Sequence, residues 1–222
     1  LPRSFAIYRR LVRLARADRP DVFVPVDFPD FNFRLARALH RLGIPIVYYV
    51  CPQVWAWRRG RLRTLKTFSR RALVIFPFEE ALYQQAGIPA EFVGHPLLDL
   101  CQTNRTSADL IRLKGLTPGK PTVALLPGSR PNEVRAILAD LVRSALLVRQ
   151  SLPGVQFLVA RAPDLDDELF APLVQLSASG APLAVVESQT DDVLAAADVV
   201  VTASGTATIQ AAIHGKPMVI VY

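Results

Sequence analysis

Two stretches of small and charged residues have the composition of phosphate-binding turns. Leu125–Arg130 joins an apolar strand pattern to a helical one, with Glu133 in the first helical turn. Backbone N–H groups at a helix start bind anions, Gly128 lets a phosphate approach the chain, and Arg130 adds a planar cationic fork. Ser204–Thr208 offers small hydroxyl side chains at a second such turn. Either turn alone is also typical of plain helix capping, but the pair favours a nucleotide diphosphate stabilised without a metal.

Three residues are candidates for proton transfer. Asp27 and Asp30 follow an apolar strand pattern, and a carboxylate held there could take a proton from an attacking hydroxyl. Asp is also common in turns, which is the interpretation that the residue types alone favour. His95, in a Gly-His-Pro sequence, is equally a base or a structural side chain. We interpret the following as structural: His40, His214, Glu79 and Glu80.

A basic and aromatic segment lies between Asp30 and His95 in the sequence. Val54, Trp55 and Trp57 adjoin Arg58 and Arg59, and further cations follow as far as Lys66. Aromatic rings beside Arg and Lys suit an anionic membrane surface or single-stranded nucleic acid. A solvated helix face is the commonest outcome for such a charge run, so the residues leave three interpretations open.

Strand and helix patterns alternate along the chain and set the positions of these residues. Such alternation, with apolar strands, predicts an α/β protein whose parallel sheets are covered on both faces. Ligands bind beyond the carboxyl ends of strands in such sheets, which is where the candidate residues fall. The polar stretch 99–120 suggests a passage between two Rossmann-like domains, 1–100 and 101–222.

The periodicity also predicts the individual elements. Helices are expected over residues 5–16, up to Gly43, from Phe78 to Ala86, from Asn132 onward, near 165–177, near 191–197 and up to Gly215. Strands are expected at Val22–Val26, Ile46–Val50, Ala72–Phe76, Glu91–Val93, Thr122–Leu126, Val155–Ala160, Leu183–Val186, Val199–Thr202 and Met218–Tyr222.

The composition narrows the class of partner. The chain has 222 residues, 51% of them hydrophobic, with a net charge of +7, which favours anionic partners such as nucleic acid, membrane surfaces or phosphorylated substrates. Cys51 and Cys101 lack metal-binding spacing and suggest reduced thiols in the cytosol. No apolar run approaches the ~20 residues that a membrane span needs, and no signal peptide is evident.

Six blocks of the sequence resemble the lipid-A-disaccharide synthase family. They occur in the family's order, and the Val-Trp-Ala-Trp-Arg block is the most specific. The blocks are Asp21–Phe23 with Asp27–Asn32, Tyr49–Arg58, Phe76–Glu79, Val93–Pro96, Leu125–Arg130 with Glu133, and Ala203–Thr208.

The resemblance implies a GT-B type inverting glycosyltransferase, with two Rossmann-like domains that face each other across a cleft. It implies transfer of 2,3-diacylglucosamine from its UDP derivative to 2,3-diacylglucosamine 1-phosphate, which forms a β-1,6 disaccharide and releases UDP. It implies no metal and no nucleic acid, and a cytoplasmic enzyme peripheral on the inner membrane of a Gram-negative type bacterium. A homodimer is expected for the full-length protein.

The resemblance also assigns roles to residues. Asp27 takes the place of the family's essential aspartate and is the expected catalytic base, a role that the residue types alone did not favour. Asn32 and His95 are expected to contact or support the acceptor. Val54, Trp55, Trp57, Arg58 and Arg59 are expected to face the membrane. The residues expected to bind UDP are Gly128, Ser129, Arg130, Glu133, Ser204, Gly205, Thr206 and Gln210.

The sequence departs from the family pattern in three ways. Gln210 stands where the family usually has a glutamate that is thought to bind the nucleotide ribose; the amide can still accept a hydrogen bond, but it lacks the charge. The family's Gly-rich N-terminal block and its C-terminal helices are not in the sequence, so we expect a piece of a longer protein. The alternatives are another UDP-sugar enzyme of this fold, such as an epimerase, or a non-catalytic protein that binds anionic lipid or nucleic acid.

Overall fold

The computed structural model describes residues 2–55 and 60–222. The chain divides into two compact units, Leu1–Pro96 and Leu97–Tyr222, called here the N-terminal and C-terminal units. Both are built of helices and parallel strands, which confirms the α/β class predicted from the alternation of patterns. The division falls at Pro96, four residues before the boundary expected from the sequence.

The N-terminal unit contains a three-stranded parallel sheet in the order β1-β2-β3. Apolar side chains of α2, β1 and β2 form its core, together with the buried rings of Tyr48 and Tyr83. The described elements are α1 (Pro2–Asp18), α2 (Pro29–His40), β1 (Ile46–Tyr49), α3 (Arg61–Lys66), β2 (Ser69–Val74), α4 (Pro77–Gln85) and β3 (Ala90–Phe92).

The strand predicted at Val22–Val26 is wrong, because the segment forms only two isolated bridges to β1. Backbone hydrogen bonds still join the segment to β1: Val47 N donates to Phe23 O at 3.1 Å, and Tyr49 N donates to Pro25 O at 2.9 Å. Pro25 has no N–H to return to the neighbouring strand, so the ladder is interrupted in the middle. The segment nevertheless delivers Asp27 to the carboxyl end of β1.

The C-terminal unit contains a five-stranded parallel sheet in the order β6-β5-β4-β7-β8. Layers of buried apolar residues cover both faces, one around α7 and one around α6 and α9. Its elements are α5 (Leu97–Leu100), α6 (Ser107–Leu113), β4 (Thr122–Leu126), α7 (Pro131–Ser151), β5 (Gln156–Arg161), a 3-10 helix (Asp167–Phe170), α8 (Leu173–Ala178), β6 (Leu183–Glu187), α9 (Thr190–Ala196), β7 (Val199–Ala203), α10 (Thr206–Ile213) and β8 (Met218–Val221).

Two expectations for this unit are wrong. The polar stretch 99–120 is not a plain linker, because Leu110 and Ile111 lie on one face of α6 and are buried in the core. The single helix expected near 165–177 is two short helices, since Pro172 at the junction has no N–H for a continuous helical ladder.

The strand order places a topological switch point beside the central strand β4. The chain adds β5 and β6 on one side of β4, then crosses to add β7 and β8 on the other. Ligands of open α/β sheets bind in the crevice that forms where the order reverses, outside the carboxyl ends of the strands. The expected location is therefore between the ends of β4 and β7.

Candidate functional site

A cavity of about 270 Å³ lies at this switch point. The ends of β4 and β7 and the first turns of α7 and α10 form its wall, so the fold brings together two turns that are 75 residues apart in sequence. The lining includes all of the residues expected to bind UDP, namely Gly128, Ser129, Arg130, Glu133, Ser204, Gly205, Thr206 and Gln210.

The start of α7 is closed by its own carboxylate. Glu133 Oε2 accepts hydrogen bonds from Ser129 N at 3.1 Å and Arg130 N at 3.3 Å, and Oε1 accepts from the Arg130 guanidinium at 2.8 Å. The N–H groups of Ser129 and Arg130, which precede the helix, are therefore not free, because a glutamate in the third helical position reaches back to them. The Arg130 side chain stays 79% exposed, and four of its five N–H donors remain for a ligand.

Gly128 is required by the close approach of the Glu133 side chain. Its φ angle is +117°, and a Cβ placed on it would lie 2.7 Å from Glu133 Cβ and 2.8 Å from Glu133 Oε2. The Glu133 side chain is therefore one neighbour that requires a glycine here, and Gly128 also lines the cavity.

Replacing Gly128 with alanine is expected to lower the free energy of unfolding by about 3 kcal/mol, since it adds a steric clash to an unfavourable φ angle. Gly119→Ala is the matched control, because Gly119 has a φ of +81° and no atom within 4 Å of the added Cβ. That variant is expected to lose about 1 kcal/mol. Urea unfolding of both proteins measures the difference, and equal losses contradict the close contact with Glu133.

The start of α10 is open. Gly205 precedes the helix with extended backbone, and no side chain of the described residues caps the helix. The N–H groups of Thr206 and Ala207 fall in the first turn, where they have no intrahelical acceptor, and no group in the described part of the chain accepts them. The N–H groups of Thr206 and Ala207 are therefore open donors in the cavity wall, with the Arg130 cation also in the lining.

Asp27, the expected catalytic residue, occupies a strained turn in the N-terminal unit. Asp27 and Phe28 both have φ angles of +44°, which non-glycine residues seldom adopt. Two side chains hold the turn: Tyr48 Oη donates to Asp27 O at 2.8 Å, and Asn32 Nδ2 donates to Asp27 O at 2.6 Å and to Val26 O at 3.1 Å. The Asp27 residue itself is exposed. Its carboxylate therefore faces solvent, while the hydrogen bonds from Tyr48 and Asn32 fix its backbone.

Sequence reasoning missed the role of Tyr48. The alternation of β1 places its ring inward beside Ile46, which was the available signal. Burial raises the pKa of Tyr48 above its usual value, and the negative charge of Asp27 raises it further. The hydroxyl therefore remains protonated and acts as a donor to the Asp27 turn.

Glu79 is a buried carboxylate that accepts several hydrogen bonds, and its role is more than that of a first-turn carboxylate. It accepts hydrogen bonds from Trp55 Nε1 at 3.0 Å and from the backbone N–H groups of Ile75 and Phe76 at 3.2 and 3.1 Å. His95 packs against the Phe76 ring, with ring centroids 5.5 Å apart. Burial lowers the pKa of His95, and the Glu79 charge partly opposes that shift, so the imidazole favours its neutral form.

Of the residues expected to face the membrane, the structure describes Val54 and Trp55, and only Trp55 is exposed. Val54 is buried in the core with 1% exposure, so its assignment is wrong: the loop turns this apolar side chain inward. Trp55 is 38% exposed, and its ring packs edge-on against Phe76 and Phe78. Trp57, Arg58 and Arg59 lie outside the described residues. None of the helices in the described ranges is long and apolar enough to span a membrane.

Comparison with known proteins gives the family. All 222 residues match the family described as "Lipid-A-disaccharide synthetase". The chain belongs to this family. It is 42% identical over 222 residues to the lipid-A-disaccharide synthase of Myxococcus xanthus and 44% identical over 225 residues to that of Alkalilimnicola ehrlichii. Each match covers 100% of this chain but only 57% and 59% of the relative, so the chain spans little more than half of their length.

Solved structures share the fold at low sequence identity. UDP-GlcNAc 2-epimerase from Neisseria meningitidis, bound to UDP-GlcNAc, has a TM-score of 0.69 at 14% identity and covers 98% of this chain and 63% of its own. The UDP co-structure of S. aureus MnaA has a TM-score of 0.72 at 9% identity and covers 99% of this chain and 61% of its own. These likenesses show the fold alone, and they confirm the predicted α/β fold of the GT-B type.

Proposed function

We propose that the full-length protein is a lipid-A-disaccharide synthase. It transfers 2,3-diacylglucosamine from its UDP derivative to 2,3-diacylglucosamine 1-phosphate, forms the β-1,6 disaccharide and releases UDP. The observation that carries the proposal is the cavity at the switch point, which gathers the family's two nucleotide-associated turns into one wall. Membership of the family over the whole chain supports the choice of reaction.

The donor nucleotide is proposed to bind in this cavity. Two solved proteins of the same fold are described as bound to UDP-GlcNAc or UDP, which supports a uridine nucleotide here. The open N–H groups of Thr206 and Ala207 and the Arg130 guanidinium are the donors proposed for the diphosphate. They stabilise the negative charge that grows on the leaving UDP, so the proposed reaction requires no metal ion.

Asp27 is proposed to act as the general base. The acceptor 6-hydroxyl oxygen attacks the anomeric carbon of the donor, its proton passes to the Asp27 carboxylate, and the bond from that carbon to the diphosphate oxygen breaks. The bonding electrons leave with UDP, and the single displacement inverts the anomeric centre. The exposed carboxylate on a fixed turn supports this role, since a base must be accessible and correctly positioned.

We also propose that the reaction takes place on the cytoplasmic surface of the inner membrane of a Gram-negative type bacterium, since both proposed substrates carry acyl chains. The net charge of +7 suits an anionic lipid surface. The exposed rings of Phe28 and Phe78, at 64% and 53%, offer apolar contact for acyl chains. A homodimer of the full-length protein remains part of the proposal, and no nucleic acid partner is proposed.

The direct test incubates the full-length protein with the acylated UDP-sugar and the acylated sugar phosphate in mixed micelles, with and without EDTA. We expect disaccharide and UDP in equal amounts, at the same rate with the chelator. A parallel reaction with UDP-GlcNAc tests the epimerase alternative, which only the similarity of fold supports. Epimerised UDP-sugar without disaccharide overturns the proposal, and loss of activity with EDTA overturns its metal-free form.

A further inference from the structure

Four side chains meet beside the cavity, where α9, α10 and the end of α5 lie together. Asp191 is their common acceptor: its Oδ1 lies 2.9 Å from His214 Nε2 and 3.5 Å from Gln210 Nε2. The Cys101 thiol is the fourth member, and it is close enough for the Asp191 charge to act on it. Because the Asp191 and His214 side chains are only 21% and 13% exposed, the carboxylate is shared among protein donors rather than surrounded by water.

Gln210 connects this cluster to the cavity. It lines the cavity, whereas Asp191 does not belong to the lining formed by the described residues. A carboxylate only accepts hydrogen bonds, so Asp191 must face the NH₂ end of the Gln210 amide. The carbonyl oxygen Oε1 is then the end that remains for a ligand.

The other members of the cluster keep the carboxylate in this arrangement. Burial raises the pKa of the Cys101 thiol and the Asp191 charge raises it further, so the thiol stays protonated and adds no second negative charge beside the carboxylate. His214 Nε2 bonds to the same oxygen as Gln210 and holds it from a second side. A flipped Gln210 amide would set Oε1 against a carboxylate oxygen, which is a repulsive contact between two acceptors.

We propose that Asp191 is a positioning residue that fixes the Gln210 amide with Oε1 as an acceptor for a sugar hydroxyl of the bound nucleotide. The inference rests on the proposed function, because it concerns how the same cavity recognises its bound nucleotide. A glutamate at position 210 would offer a carboxylate oxygen to that hydroxyl directly. In this chain the carboxylate stands on the neighbouring helix and orients a neutral acceptor instead.

The test compares the dissociation constants of UDP and 2′,3′-dideoxy-UDP for the full-length protein by calorimetry. The unchanged protein is expected to prefer UDP by about fivefold, which is the contribution of one neutral hydrogen bond. Asp191→Asn presents an amide that can either donate or accept, so it no longer selects one orientation of Gln210. Its preference is expected to fall below about twofold, with the affinity for dideoxy-UDP unchanged.

Two further variants separate orientation from general damage. Asp140→Asn makes the same chemical change on the exposed face of α7 and is expected to keep the preference. The double variant Asp191→Asn with Gln210→Glu is expected to regain it, since a carboxylate oxygen accepts in either orientation.

The outcomes distinguish the failure of this inference from the failure of the proposed function. An Asp191→Asn protein that keeps the preference, or that loses equal affinity for both nucleotides, overturns the positioning role alone. An unchanged protein that binds UDP and dideoxy-UDP equally also overturns it. An unchanged protein that binds neither nucleotide overturns the proposed function, and the inference falls with it.

Discussion

Replacing Asp27 with asparagine is expected to lower the rate of disaccharide formation by about 10³-fold, which is the contribution of a positioned general base. Asparagine tolerates the left-handed backbone of this turn, and the bonds from Tyr48 and Asn32 go to main-chain oxygens that the substitution leaves in place. The loss therefore reports on the carboxylate. UDP affinity is expected to stay unchanged, because the groups proposed to bind UDP belong to the C-terminal unit.

Initial rates of disaccharide formation and the calorimetric dissociation constant of UDP measure the two effects separately. Asp21→Asn is the control, since Asp21 is an exposed carboxylate on the same segment, and its rate is expected to stay within about twofold of the unchanged protein. A fall of less than about tenfold for Asp27→Asn contradicts the assignment of this carboxylate as the base.

Replacing Arg130 with alanine is expected to weaken UDP binding by about 10- to 100-fold, because it removes charge-assisted hydrogen bonds to the diphosphate. The stability of the protein is expected to change little, since the side chain is 79% exposed and its pairing with Glu133 is a surface ion pair. Titration of the variant with UDP, together with its urea unfolding curve, measures both quantities.

Arg135→Ala is the matched control for this prediction. Arg135 lies on the same helix, is exposed, and bonds to Asn132 Oδ1 at 3.1 Å, so it has the same charge outside the cavity lining. It is expected to change UDP affinity by less than about twofold. Equal effects of the two substitutions would show that net charge rather than the cavity attracts the nucleotide.

The alternation of apolar patterns was enough to predict the fold class and the end of the sheet where the cavity lies. Buried parallel strands read as continuous apolar runs, as Thr122–Leu126 does, and its predicted bounds match β4. The prediction of a strand at Val22–Val26 was wrong because this apolar run contains Pro25, whose missing N–H interrupts the hydrogen-bond ladder.

The state of each helix start could not be predicted from residue types alone. Gly128–Arg130 looked like an open anion site, yet Glu133 fills it from within the helix. A glutamate three residues after the cap position is the signal that could have revealed this. Ser204–Thr206 looked like the more ordinary cap and proved to be the open one.

The partners in contacts between distant parts of the chain could not be predicted from the sequence. Tyr48 supports Asp27 from 21 residues away, and Asp191 reaches Gln210 and His214 across 19 and 23 residues. Such pairs form because the strand order brings their elements together, which no local pattern encodes. The neutral Gln210 was read as a loss of charge, whereas the structure places a carboxylate beside it.

A crystal structure of the full-length protein with UDP tests the central claim most directly. We expect the diphosphate at the start of α10, bonded to the N–H groups of Thr206 and Ala207, with the Arg130 guanidinium turned toward it and the α7 cap of Glu133 intact. UDP bound outside this cavity, or a diphosphate seated on the Ser129 and Arg130 N–H groups in place of Glu133, would contradict the account.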